Sequence, residues 1–214
     1  MEKAGRLIYQ GLLIAWDGFW VVWLSDLLWV AFSLPVVTAP LGFAGLYECA
    51  HALAEGKSVT WQTFFSGIRH RWGASYRWTI FNLLVVFVLA FYFWFFSPEK
   101  GSLAGLTSSL LGGFPLALIV LWWLINQYTF PFMLVQEKPS YRNALRNSLV
   151  MSLKWPGVTL GFTLFNLAVI ALSLWLRFPW LVFGASLPAL MACWCVKYSV
   201  EQTLGAGPSA DANS

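Results

Sequence analysis

An all-α, polytopic transmembrane helical bundle is what the sequence predicts, and three observations lead there. Residues 78–96 run for nineteen positions without a charged side chain. That is about what a helix rising 1.5 Å per residue needs to cross roughly 30 Å of hydrocarbon. The chain is 59% hydrophobic and 10% charged, where an ordinary soluble domain carries about 25% charged residues. Finally, the basic residues gather in short stretches between apolar runs, the pattern that orients a chain in a bilayer. Most of the 214 residues therefore have lipid as their solvent.

The elements follow in order. A first span is expected over 12–34, and MEKAGR with the mixed stretch around Asp17 reads as an uncleaved first helix rather than a signal peptide. Ser33–Pro40 reads as a turn, because proline fixes φ and removes a backbone donor. Residues 36–54 form a sixth candidate span, interrupted by Pro40 and carrying Glu48 and His51. Further spans are expected over 78–96, 115–136, 157–176 and 179–200. Two amphipathic helices are expected between them, at the cytoplasmic interface. In the first, Trp61, Phe64, Phe65, Ile68 and Trp72 recur at helical spacing, with Arg69 and His70 on the other side. The second covers Ser140–Ser152, with Tyr141, Leu145 and Leu149 alongside Arg142 and Arg146, and with Ser140 as N-cap. Both are read either as partner or lipid surfaces or as connectors with no partner. Many tryptophans fall near span ends, at 16, 20, 72, 78, 94, 155, 175 and 180, as an aromatic belt would. Residues 1–204 thus form one membrane domain, and GAGPSADANS at 205–214 is too poor in apolar residues to fold alone.

Charge counting favours six spans over five. With six, both termini face the cytoplasm together with Lys3, Arg6, Lys57, Arg69, Arg71, Arg77, Lys138, Arg142, Arg146, Lys154 and Lys197. Only Lys100 and Arg177 then face outward, a split of 11 to 2. With five spans Lys3 and Arg6 change sides and the split falls to 9 to 4. Such a bias in short loops explains a pI near 9.1 without any nucleic-acid partner.

Four polar positions stand out inside predicted spans. Asp26 lies near the middle of the first span in WLSDLLWV, where a carboxylate must face protein or a wet cavity. It is either a proton or solute site or a group hydrogen-bonded across helices. Glu48 and His51, three apart, could share a proton or a hydrogen bond. Asn82 suits interhelical hydrogen bonding. Cys49, Cys193 and Cys195 read as small apolar fillers, since no CxxC pair or histidine cluster accompanies them. No catalytic constellation, metal-ligand set or cofactor motif is present in the sequence, and an enzyme is not expected.

The stretch from Ser33 to Trp72 resembles the hallmark region of the YesL-like family, bacterial multi-pass membrane proteins grouped as a domain of unknown function. The residues that carry the likeness are Leu27, Leu28, Trp29, Leu34, Pro35, Thr38, Tyr47, Phe64, Phe65, Gly67 and Arg69. Asp26 stands where that family's pattern has Asn. The resemblance covers roughly residues 20–90. It implies a setting in carbohydrate uptake, beside a sugar-importer complex in the bacterial inner membrane, without an established activity. A second likeness is to the ATPase-docking loop of importer permeases, through Glu48-Cys-Ala50, Gly56, Trp61 and Phe65-x-x-Ile68. Its spacing is longer by two residues on each side of the glycine, and the terminal proline is absent. The expected role is therefore an accessory or modulator of small-solute uptake. The alternatives are a small transporter in its own right, using Asp26 and Glu48, or an assembly subunit.

Overall fold

The computed structural model describes residues 2–95, 106–137, 139–176 and 184–205. Lys100, Lys138, Arg177, Trp180 and the tail beyond Gly205 lie outside these residues. The described residues form helices α1 (Glu2–Asp17), α2 (Phe19–Ser33), α3 (Ala39–Ala54), α4 (Trp61–Phe95), α5 (Leu106–Asn126), α6 (Thr129–Val135), α7 (Tyr141–Lys154), α8 (Pro156–Leu176) and α9 (Ser186–Leu204), and contain no strand.

The predicted first span is not one helix. The chain bends by 84° at Gly18, between α1 and α2. Leu53 of α3 fills the corner, and a Cβ at Gly18 would lie 2.7 Å from its Cδ2. After Ser33 the expected turn appears as one 3₁₀ turn, Val36–Thr38, and Pro40 sits in the first turn of α3, where no N–H is needed. At the other end of α3, Gly56 takes φ +75°. Its N–H reaches Leu53 O and that of Lys57 reaches Ala52 O, each at 3.0 Å, which closes the helix as a Schellman motif. At 16 residues α3 is shorter than a typical spanning helix.

A second correction concerns α4. The amphipathic segment 61–72 and the span 78–95 are one continuous helix of 35 residues. Nothing between them breaks it, because the stretch contains no proline and its buried stripe runs straight through Phe64, Gly67, Ala74 and Ser75. At 1.5 Å per residue this helix is roughly 52 Å long, against roughly 30 Å of hydrocarbon. Arg77 is its last cation. The uncharged part that follows exposes Ile80, Leu83, Leu84, Phe87, Val88 and Phe91.

The predicted 115–136 span runs from α5 into α6 with a two-residue interruption at Gln127 and Tyr128. Pro131 lacks the N–H that would bond the Gln127 carbonyl. Ser148 and Ser152 of α7 donate to the Ile125 and Leu124 carbonyls just before the interruption. Helix α7 starts where expected, although the Ser140 hydroxyl caps nothing and it is the Ser140 N–H that is held, by Gln136 Oε1 at 2.9 Å. It meets α8 at 104°.

Among the described residues, α4 and the stretch Gly113–Val135, which runs from α5 through α6, are each long and apolar enough to cross a bilayer. If each bent pair counts as one span, the number rises to four. Helix α9 contributes to both buried clusters. Ala189, Leu190 and Cys193 join Leu46, Cys49, Phe64 and Phe130 in one buried cluster. Met191, Ala192, Cys195 and Val196 join Tyr128, Met151 and Phe162 in the other. Helices α3 and α4 make the most extensive pairing, at a seam of small residues. A Cβ on Gly45 would lie 2.8 Å from the Phe64 ring, and one on Gly67 would lie 2.7 Å from Ala44 O.

Candidate functional site

Asp26 projects from the middle of α2 and is 0% exposed. Its Oδ1 accepts the N–H groups of Ser186 at 3.0 Å and Ala185 at 3.2 Å, and its Oδ2 accepts the Ser186 hydroxyl at 2.5 Å. These donors form the N-terminus of α9, whose own N-cap, Ala185, has no side chain able to cap it. Asp26 is therefore the cap of a helix 160 residues away. Free N–H groups at a helix start and the positive end of its dipole both suit a carboxylate. Of the two readings open in the sequence, the geometry is that of the interhelical bond.

Glu48 and His51 do not pair with each other. Glu48 Oε2 lies 3.6 Å from Arg71 Nε, and His51 Nε2 lies 3.2 Å from Glu55 Oε1. Glu55 also holds Lys57. That Lys57 bond, outweighing partial burial, keeps the Glu55 carboxyl below its ordinary range. Two cations of this region close helix ends instead of facing outward. Arg71 Nη2 donates to Leu134 O at the end of α6, 3.3 Å away, and Lys197 Nζ donates to Ala54 O at the end of α3, 3.0 Å away. Orphan carbonyls and the negative end of the helix dipole favour both arrangements. Between α1, α3 and α9 an open cleft of about 460 Å³ is lined by Asp17, Glu55, Lys57, Trp194 and Lys197, among others.

Asn82 joins α4 to α5. Its Oδ1 accepts Trp122 Nε1 at 3.0 Å and Asn126 Nδ2 at 2.6 Å, while its own amide donates to Trp78 O.

The set predicted as a partner or lipid surface divides. Trp61 and Phe65 are 61% and 43% exposed, Trp72 is 60% exposed, and Arg69 beside them is exposed. At 100° per residue Trp61, Phe65, Arg69 and Trp72 fall on one side of α4. Arg142 and Arg146 are exposed on α7. Phe64 is corrected: it is 1% exposed and packs into the α3–α4 seam against Phe32. Ile68 is half-buried against the same core, and Arg71 turns inward as described. The burial of Phe64 follows from periodicity, since 64, 67, 71 and 74 lie on the side that meets α3, while Ile68 sits at the edge of the exposed side.

Sequence reasoning did not find Ser186, Leu134 or Ala54 as partners, nor Ser148 and Ser152. Backbone carbonyls and N–H groups carry no residue signature, and these pairs are far apart in the chain. No family model matches the chain, and no curated protein or solved structure is similar to it.

Proposed function

We propose that this chain is an integral membrane protein that assists small-solute uptake through partner contacts on the first third of α4. One observation carries the reading. Helix α4 is about 20 Å longer than the hydrocarbon core, and the excess bears an exposed side with Trp61, Phe65, Arg69 and Trp72, of which Phe65 also meets the Phe32 ring edge-on. Exposed tryptophan and arginine are the residue types that dominate protein interfaces. The uncharged stretch from Trp78 to Phe95 measures about 27 Å and fits the lipid. Arg77 marks the boundary, and no acidic residue occurs anywhere in α4.

Read with six spans or with five, the charge split puts the loop before α4 on the cytoplasmic side of a bacterial inner membrane, so the α4 stripe faces the cytoplasm. Because α3 lies along that same third of α4, with the Ser75 hydroxyl donating to Pro40 O and Gly67 against Ala44, leaving this third outside the lipid goes with five spans and an outward N-terminus. In that arrangement the steep angle between α7 and α8 suits α7 to the interface, with Arg142 and Arg146 toward anionic lipid. The YesL-like resemblance supplies the solute class, carbohydrate, and the partner, a sugar-importer complex. The transporter alternative is weaker because Asp26, its main ionisable group, spends its acceptors on the α9 N-terminus.

The test is a pull-down from mild-detergent extracts, comparing wild type with a Trp61→Ala, Phe65→Ala, Trp72→Ala variant. Importer subunits should copurify with wild type and be lost from the variant. Equal recovery from both would remove the stripe as the contact, and uptake by the purified protein alone in liposomes would favour the transporter.

A further inference from the structure

Buried side-chain polar atoms without a hydrogen-bond partner occur along the α5–α6 break at Asn126 Oδ1, Gln127 Nε2 and Thr129 Oγ1 and on α8 at Asn166 Oδ1, while the Tyr128 and Thr159 hydroxyls have only each other. Tyr128, Thr129, Thr159 and Asn166 are each more than nine-tenths buried. The last two share one side of α8 with Thr163, at i, i+4 and i+7. That side meets the break. The Thr163 hydroxyl lies 3.3 Å from Gln127 Oε1, the Tyr128 ring stacks on Phe162 at 5.5 Å, and the Tyr128 and Thr159 hydroxyls lie within hydrogen-bonding reach of each other.

The protein satisfies this set only in part. Thr163 has one hydroxyl proton, and the Thr159 carbonyl competes for it at 2.8 Å. Gln127 therefore keeps an unmatched amide donor and a contested acceptor, beside a carbonyl that Pro131 cannot bond. Buried polar groups left dry are rare in folded proteins, and sets of this kind ordinarily hold ordered water or a ligand. The six atoms mix donors with acceptors and carry no charge. Their complement is a neutral group that donates and accepts at the same atom, which describes a hydroxyl. Irregular backbone at membrane depth is likewise tolerated where it lines a wet cavity.

We propose that the seam between the α5–α6 break and the Thr159–Asn166 side of α8 binds a neutral hydroxylic ligand, either water or the hydroxyls of a small polyol. The site is separate from the α4 stripe and stands whether or not that stripe meets a partner.

Radiolytic footprinting in H₂¹⁸O tests this on the full chain in nanodiscs, because bound water oxidises the side chain beside it even where bulk solvent cannot reach. Tyr128 should take up ¹⁸O at least about tenfold faster than Phe64, which is equally buried in the apolar seam. Labelling of Tyr128 at the Phe64 rate overturns the proposal. In a Thr159→Val, Asn166→Leu variant the Tyr128 rate should drop toward that of Phe64, and an unchanged rate would also overturn it. If that variant does not fold, the wild-type comparison decides alone. Equilibrium dialysis against labelled glycerol separates the sources. Saturable retention by wild type identifies a polyol site, and no retention alongside rapid Tyr128 labelling identifies water.

Discussion

Replacing Gly67 by alanine adds a single methyl group where α3 and α4 touch. The new Cβ would lie 2.6 Å from Glu48 Cβ and 2.7 Å from Ala44 O, with Gly45 Cα at 3.1 Å. Two of these three atoms are backbone, so relief requires one helix to move away from the other. Overpacking of this kind costs about 1–3 kcal/mol, while a helical Gly→Ala change returns about 1 kcal/mol of intrinsic propensity. The expected net effect is a loss of up to about 2 kcal/mol. Gly73 lies in the same helix and has nothing within 4 Å of its virtual Cβ. There Gly→Ala should stabilise by about 0.5–1 kcal/mol, from propensity alone. The paired assay is denaturant unfolding of both variants in the same detergent, followed by far-ultraviolet circular dichroism. Gly67→Ala should unfold at lower denaturant than wild type, and Gly73→Ala at higher. A Gly67→Ala protein as stable as Gly73→Ala would refute the close approach of α3 and α4.

Further expectations follow from the same geometry. Asp26→Asn keeps an acceptor for the Ala185 and Ser186 N–H groups and should leave thermal stability within about 1 kcal/mol of wild type. Asp26→Leu orphans all three donors and should cost about 3 kcal/mol or more in the same melt. Ser148→Ala with Ser152→Ala strips the donors from the Ile125 and Leu124 carbonyls and should cost about 1–2 kcal/mol, read as a lower denaturation midpoint. Because the Glu55 carboxyl is held below its ordinary range, its contribution is present above that range and is lost as pH falls through the lowered value. Glu55→Gln should accordingly flatten a small acid-side decline in melting temperature, and an unaltered decline would remove Glu55 as its source. Reporter fusions at residues 2 and 214 should show opposite sidedness, since α3 lies beside the cytoplasmic third of α4; the same sidedness, which the 11-to-2 charge split favours, would put α3 and that third of α4 in the bilayer.

The sequence revealed what local chemistry writes into it. Uncharged runs marked the exposed apolar parts of α4 and α8, and Pro35 with Pro40 marked the turn before α3. The bend at Gly18 was hidden because the side chain that fills its corner, Leu53, lies on another helix. The continuity of α4 was present in the sequence but overlooked: the change from mixed to apolar residues near Arg77 looks like a boundary, yet the stripe from Phe64 to Ser75 keeps its period and no proline intervenes. Arg71 shows how far the candidate surface could be read. Its sequence neighbours identify a cation on an amphipathic helix, but the Leu134 carbonyl that draws it inward has no residue identity to recognise. Asp26 was legible as an anomaly and illegible as a cap, since its donors are two backbone N–H groups and one common hydroxyl at the far end of the chain.

That distance also has a meaning in time. A ribosome adding about 5–20 residues per second needs roughly 10–30 s to travel from Asp26 to Ser186. Throughout that interval the carboxylate in α2 has none of its final donors, so the first bent helix pair cannot settle into its finished packing however early it is made. The order of synthesis thus leaves the beginning of this protein waiting on its end. Any product terminated before residue 185 keeps an uncapped acid among apolar neighbours, a mark by which unfinished chains differ from complete ones.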